Sequence, residues 1–389
     1  MSAHPIPARL DSFLAWMRVL AIAGGAALLV GLWSAPERAW ADLLLASYAL
    51  VCLGLAGIFF VALQYVSGAV WSIPLRRVGE AMSSAIPIGG IGILILLIAR
   101  PSIYHWYGHA VVSAEGWTGF KNTWLSYPFF LTRAFVYLAV WMWFSWAIRR
   151  NSRRQDREGG TELSKKNARL SAAFMVAFGV TFWLASTDWV MSLQPDWAST
   201  IFGIYNFAGM FVSGLATITL VTLGLRRAGP LRHGVGDAQF LDLGRLMVAF
   251  ATFWTYIWFS QFMLIWYANL TEETTYFVRR TNFGWGWLVV LNLFLNWGIP
   301  FLLLLPRVNK ANPRTLIVAS TILLLGRTTD LYLGIMPSFS RQNPRPTIWD
   351  LAALALIVGA FSLTTMRSFF ASEPVPVGDP LLSASAHSH

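Results

Sequence analysis

Runs of about 20 predominantly apolar residues recur along the whole chain, and each is long enough to cross a bilayer core about 30 Å thick. In hydrocarbon every backbone N–H and C=O needs a partner within the protein, so only helices and closed barrels span a membrane. The runs are continuous rather than short and alternating in polarity, which selects helices over barrel strands. Ten spans are predicted, at approximately 14–34, 42–70, 82–99, 127–148, 168–192, 199–224, 242–268, 285–306, 313–336 and 347–369. The expected fold class is an all-α integral membrane protein. Spans 2–5 (about 42–192) and 6–9 (about 199–336) each start and finish on one side. That permits two four-helix bundles related by an axis along the membrane normal, although no sequence repeat stands out. Spans 1 and 10 carry few polar residues in their middles and are expected to be peripheral. The membrane domain is read as 1–371. The tail 372–389, with Pro, Ser, Ala and His but no periodicity, is expected to be disordered.

The chain has 389 residues, of which 56% are hydrophobic and 12% charged, and its formal charge is +11. Nucleic-acid binding is the usual reading of a basic protein, but here the charge follows alternate loops. One set carries Arg76, Arg77, the 149–169 connection, Arg226, Arg227, Arg232, Arg307, Lys310, Arg314 and Arg367. The other carries only Arg38, Arg100, Lys121, Arg279, Arg280, Arg341 and Arg345. Basic loops stay in the cytoplasm, so both termini are expected inside a bacterial inner membrane. The stretch 149–169 reads as the longest inner loop, solvated against anionic headgroups. The outer segment 100–126 holds Tyr104, His105, Trp106, Tyr107, His109, Trp117 and Trp124, which suit the membrane interface. No small-x-small cleavage pattern appears at Gly31-Leu32-Trp33-Ser34, so no cleavable signal peptide is expected.

Electron-carrying chemistry finds no ligands. The single cysteine, Cys52, supplies neither a disulfide nor an iron–sulfur ligand set and suits small core packing. The histidines are His4, His105, His109, His233, His387 and His389, and none lies at the centre of a span to face a haem. His105 and His109 are four apart and share a helical face; two ligands are a weak metal signal, and interfacial polar residues are the simpler reading. No phosphate loop and no nucleophilic triad is found. Cofactors bound by the chain itself are expected to be none.

Chemistry is therefore sought among polar residues inside the spans. A carboxylate in hydrocarbon is expensive, so it is usually paired and functional. Asp188 lies near the outer end of span 5, ahead of the Pro195-Asp196 turn, and Arg133 on span 4 is its expected partner, with Tyr137 and Thr187 nearby. A second cluster is assembled from Asn206 on span 6, Gln261 on span 7, Asn292 and Asn296 on span 8, and Arg327 with Asp330 on span 9. Arg327 and Asp330 are three apart, and mutual neutralisation is the bland reading of that pair. Asn and Gln often only bridge helices. On the inner side, Gln64 and Tyr65 are the candidates for proton entry, while Glu80 and Asp242 are expected to be solvated helix-start acids. The pattern suits a membrane subunit that handles protons or a polar lipid-soluble substrate and leaves electrons to partners.

Three stretches carry a resemblance. They are Gln64-Tyr65-Val66-Ser67-Gly68-Ala69-Val70-Trp71-Ser72-Ile73-Pro74-Leu75-Arg76-Arg77, Asp188-Trp189-Val190-Met191-Ser192-Leu193-Gln194-Pro195-Asp196-Trp197, and Ser199-Thr200-Ile201-Phe202-Gly203-Ile204-Tyr205. Together with the ten-span plan and the outer aromatic loop, they resemble the F subunit of alternative complex III, within the wider NrfD/polysulfide-reductase-like membrane anchors. The resemblance implies a quinol:electron-acceptor oxidoreductase. The implied partners are a multihaem cytochrome c, an iron–sulfur protein, a related quinol-binding C subunit and small membrane subunits. Haem and iron–sulfur clusters would lie on those partners. The family's quinol site lies in the first bundle near the outer face, with a carboxylate and often a histidine. Asp188 matches the carboxylate position; span 4 offers Arg133 and Tyr137 where the histidine would be. The rival readings are a structural anchor of such a complex and an unrelated secondary transporter. Gly and Pro concentrated near span ends argue against the transporter, because transporters often break helices at mid-membrane.

Overall fold

A computed structural model describes residues 7–108, 118–232, 234–340, 344 and 346–385. Among the described residues ten helical spans are long and apolar enough to cross a membrane: Leu10–Ser34, Pro36–Ser67, Ile73–Ala99, Tyr127–Glu158, Glu162–Leu193, Phe202–Ala228, Asp237–Ala268, Gly286–Leu304, Pro313–Ser338 and Ile348–Phe370. No strand occurs among the described residues. The chain is a multi-pass membrane protein. Large apolar side chains such as Trp33, Val176, Tyr267 and Leu302 point outward, as a hydrocarbon solvent requires.

Spans 2–5 close into one ring of four, each packing on the next and span 5 on span 2; spans 6–9 do the same. The rings join where spans 2 and 5 meet span 6 and span 2 meets span 9. Span 2 is apolar all round and correspondingly buried on all sides, as a central helix should be. Packing between apolar helices gains little from excluding lipid, so it depends on close backbone approach. Gly57 and Gly79 provide it between spans 2 and 3: a Cβ on Gly79 would sit 2.8 Å from the Gly57 carbonyl oxygen. Spans 1 and 10 pair with each other and both lie along span 2; span 1 is otherwise peripheral, while span 10 also meets span 3.

An even number of crossings leaves the start of span 1 and the end of span 10 at one end. We call it the basic end and the other, carrying Tyr104 and Trp124, the aromatic end. The basic end differs from expectation in four ways. The stretch 149–169 is no long loop: helices run to Glu158 and from Glu162, leaving Gly159–Thr161 as the connection, with Gly159 and Gly160 at φ 66° and 80°. Glu80 is not solvated. It is buried and accepts from Arg77 at 2.7 Å, and Arg77, also buried, reaches Asp156 and the Ser152 hydroxyl. Asp242 is half-buried and pairs with Arg245 at 2.7 Å. The tail is ordered through 385, because Asp379 is buried against Arg76 at 2.7 Å and Val375 packs on the core. Residues 386–389 lie outside the described residues, as do His4, His109, Trp117, His233, Arg341 and Arg345.

Candidate functional site at the aromatic end

The helix of span 5 ends at Trp189 and tightens into a 3-10 turn over Met191–Leu193. That tight end fixes Asp188, only 1% exposed, and the Ser192 hydroxyl bonds its carbonyl. Pro128 at the second position of span 4 starts that helix, and Arg133 and Tyr137, four residues apart, share the face turned to span 5. Arg133 donates Nε to Asp188 Oδ2 at 2.8 Å and Nη2 to Oδ1 at 2.9 Å, the bidentate geometry that makes guanidinium–carboxylate pairs strong. Tyr137 Oη donates to Oδ2 at 2.9 Å. Sequence reasoning thus brings together three residues that do meet.

It missed the fourth. Trp124, on the short helix Thr118–Trp124, donates Nε1 to Asp188 Oδ1 at 3.0 Å and accepts Arg133 Nη1 at its carbonyl at 2.8 Å. The Arg133 guanidinium also lies 4.0 Å over the Trp124 ring. Each carboxylate oxygen therefore has two donors and the buried charges cancel, which is what burial demands of an ion pair.

Beside this pair lies a cavity of about 560 Å³, bounded by the short helix, the facing ends of spans 5 and 6, and span 7. Its walls carry Trp124, Trp183, Met191 and Leu264, with Asp188 and Gln261 among the polar groups and the charged Lys121 and Glu273 also on the lining. That is the composition of a pocket for a largely apolar ring with a few polar atoms. Gln261 was grouped by sequence with the second cluster. The rotation of span 7 instead points it at Ser199 Oγ, 3.0 Å away, on this cavity's wall, and Thr187 lines the same space.

The remaining members of the second cluster do converge. Arg327 Nη1 donates to Asp330 at 2.5 Å and Nη2 to Asn206 Oδ1 at 3.3 Å; Asn292 Nδ2 and the Tyr205 hydroxyl also donate to Asp330. Asn296 Nδ2 reaches Asn292 Oδ1 at 2.7 Å across a π-helical turn, Phe294–Gly298. Pro300 explains that turn. It has no N–H for the Asn296 carbonyl, four residues earlier, and its ring would collide with it. Gly326 lets span 9 approach: a Cβ there would lie 2.9 Å from Asn296 Cγ. The two clusters are counterparts. Thr187-Asp188 and Thr329-Asp330 occupy matching places on the last span of each ring, and each is followed seven residues after the Asp by Pro195 or Pro337. This short repeat escaped the sequence reading because the flanking residues differ.

Two further networks at this end were also missed. Arg280, read as a loop charge, is buried. It donates to the carbonyls of Leu333 at 2.8 Å and Gly334 at 3.0 Å and lies 3.5 Å over Tyr276, which stacks on Trp197 at 3.9 Å. Burial pushes the Tyr276 hydroxyl above its ordinary value, and Arg280 opposes the shift. Arg38 pairs with Asp350 and bonds Tyr332 at 2.9 Å, with Asp42 3.4 Å away. At the basic end, Gln64 and Tyr65 are both buried, and Tyr65 accepts from Asn167 Nδ2 at 3.2 Å beneath the Arg76 guanidinium. His105 is exposed. No protein-family model matches the chain, and no curated protein matches it.

Proposed function

We propose that this chain is an integral subunit of a quinol:electron-acceptor oxidoreductase of the alternative complex III type. In this reading the basic end faces the cytoplasm of a bacterial inner membrane. The Asp188 centre is then a quinol-related or proton-transfer site near the outer face. One observation carries the proposal: a buried carboxylate, held by Arg133, Tyr137 and Trp124, forms part of the wall of an aromatic cavity large enough for a quinol ring. A quinol hydroxyl entering there takes the place of the Trp124 N–H on Oδ1 and transfers its proton to the carboxylate. Arg133 keeps the bidentate frame and Tyr137 holds Oδ2. Oxidising quinol to quinone releases two protons and two electrons. Asp188 takes one of the protons and passes it to the aromatic end, the second goes directly to water at that end, and the electrons would go to haem and iron–sulfur partners.

A structural anchor is the second reading, favoured by the four donors that already satisfy Asp188. The two readings separate in assembled complexes carrying Tyr137→Phe or Asp188→Asn. The site reading expects quinol oxidation or outward proton release to fall while the subunits still co-purify. Wild-type turnover and proton release in both variants would leave the chain as a scaffold.

A further inference from the structure

The basic end holds an open cavity of about 930 Å³, where span 6 finishes and spans 1, 7 and 9 begin. It lies at the opposite end from Asp188, and nothing said of it rests on the quinol reading. Its lining carries three guanidinium groups, Arg226, Arg227 and Arg232, and one carboxylate, Asp237. Asp237 pairs with Arg226 at 2.7 Å. That leaves Arg227 and Arg232, both exposed, with no carboxylate on the lining to neutralise them. Pro7 and Pro313, at the starts of spans 1 and 9, complete the wall with the start of span 7, so the positive ends of three helix dipoles add to the same field.

Arg226 and Arg227 fall in the last turn of span 6, where cations complement the helix C-terminus. That role does not extend to Arg232, which belongs to the following turn. The turn is fixed: Leu231 and Val235 are buried, and the Arg232 N–H donates to the Gly229 carbonyl at 3.0 Å. Gly229, at φ 116°, lets the chain double back, so Arg232 stands on the same wall as Arg227. The position of this wall in the bilayer follows from span 1. Phe13 and Trp16, 40% and 68% exposed, lie about 9 and 14 Å below Pro7 at 1.5 Å of rise per residue. The polar layer on each face of a bilayer is about 5–8 Å deep. The arginines therefore stand at head-group level, and the outer surface of span 1 beneath them faces acyl chains.

We propose that this cavity binds the head group of one anionic phospholipid, with its phosphodiester at Arg227 and Arg232 and its acyl chains along span 1. A phosphodiester is ionised at neutral pH and offers two oxygens to the planar fork of a guanidinium. Basic pockets between membrane helices recognise anionic head groups on this principle. Phosphatidylglycerol brings a negative charge and a neutral glycerol. Phosphatidylcholine brings the same phosphate with a cation attached, which a wall already in excess of positive charge repels.

The test uses the purified full chain in phosphatidylcholine nanodiscs with a trace of phosphatidylglycerol carrying a diazirine beside one acyl ester. Crosslinks are mapped to peptides and are expected in residues 7–16 and 223–237. Added phosphatidylglycerol should displace the label, while further phosphatidylcholine should not, a comparison that needs no substitution. Arg227→Gln/Arg232→Gln should reduce labelling of these segments about 30-fold, which is about 2 kcal/mol for two arginines at the membrane surface. Both side chains are exposed, so the fold should survive. Lys166→Gln/Arg169→Gln removes the same charge from exposed positions at the same end and should leave labelling unchanged. An equal fall in both double variants would show only the general field of the basic end and would overturn the site. So would displacement by phosphatidylcholine as effective as by phosphatidylglycerol, or no label in either segment. Displacement by glycerol 3-phosphate as effective as by the lipid would assign the cavity to a soluble phosphate ester and overturn the lipid.

Discussion

Removing Arg133 alone from the Asp188–Arg133 pair should cost more than removing both charges together, and the two single removals together far more. The pair is nearly dry, with side-chain exposures of 8% for Arg133 and 1% for Asp188. In Arg133→Leu the carboxylate keeps Tyr137 and Trp124 but loses two charged donors, and an uncompensated buried charge costs about 3–5 kcal/mol. Asp188→Asn strands the guanidinium instead. Arg133 still donates to the Trp124 carbonyl at 2.8 Å and still lies 4.0 Å over its ring. That stacking is worth about 0.5–2 kcal/mol, so Asp188→Asn should cost less, about 2–3 kcal/mol. The double variant Arg133→Leu/Asp188→Asn contains neither charge and should lose only about 1–3 kcal/mol, mainly in packing and unpaired donors. The cycle therefore carries a coupling of at least about 2 kcal/mol, well above the roughly 0.5 kcal/mol of independent sites. Unfolding of the purified chain by SDS in mixed micelles, followed by tryptophan fluorescence, measures all four corners. Singles that add to the double within about 0.5 kcal/mol would show that the two charges are not energetically paired, and the account of the site would fail.

Single cysteines at Lys165 and His105, both on exposed positions, should label from opposite sides of intact cells, His105→Cys with an impermeant thiol reagent and Lys165→Cys only after permeabilisation; the buried Cys52 keeps the background low. Labelling of Lys165→Cys in intact cells would invert the topology. Burial raises the hydroxyl pKa of Tyr104 and Tyr276 above the ordinary value of 10.0, so both stay protonated in the native fold. A tyrosine bound more tightly to its proton when folded adds stability that is fully present below about pH 10 and lost as pH rises above it. Alkaline titration, followed by tyrosinate absorption, should show these two ionising only on unfolding, and Tyr104→Phe with Tyr276→Phe should flatten the loss of stability. The purified single subunit should carry no haem absorption, and a stoichiometric Soret band would refute that.

The spans were legible because a bilayer leaves a chain so little choice: each apolar run had to become a helix of sufficient length. The Asp188–Arg133 pairing was legible for a related reason, since a buried carboxylate calls for a cation on a neighbouring helix. Tyr137 followed from its spacing four residues beyond Arg133. What escaped depends on rotation and on distant segments. Nothing local told that Gln261 faces Ser199 rather than Asp330, because span 7 is apolar around much of its circumference. Glu80 looked like a solvated acid at a helix start, but Arg77, itself held from another span by Asp156, pairs with it in the interior. Asp379 looked like part of a free tail because its partner, Arg76, is 303 residues away. Trp124 lies outside every span, so no span-based reading assigned it a role. The π-helical turn had a sequence signal that went unread, Pro300 four residues after Asn296.

The central claim is that the Asp188 cavity takes a quinol-like ring, and the direct measurement is a structure of the intact membrane assembly prepared with a quinol analogue. The account expects the ring between Trp124 and Met191, with one oxygen within hydrogen-bond distance of Asp188. A ring held entirely by another subunit, with the Asp188 cavity occupied by lipid or by a partner's side chains, would contradict it.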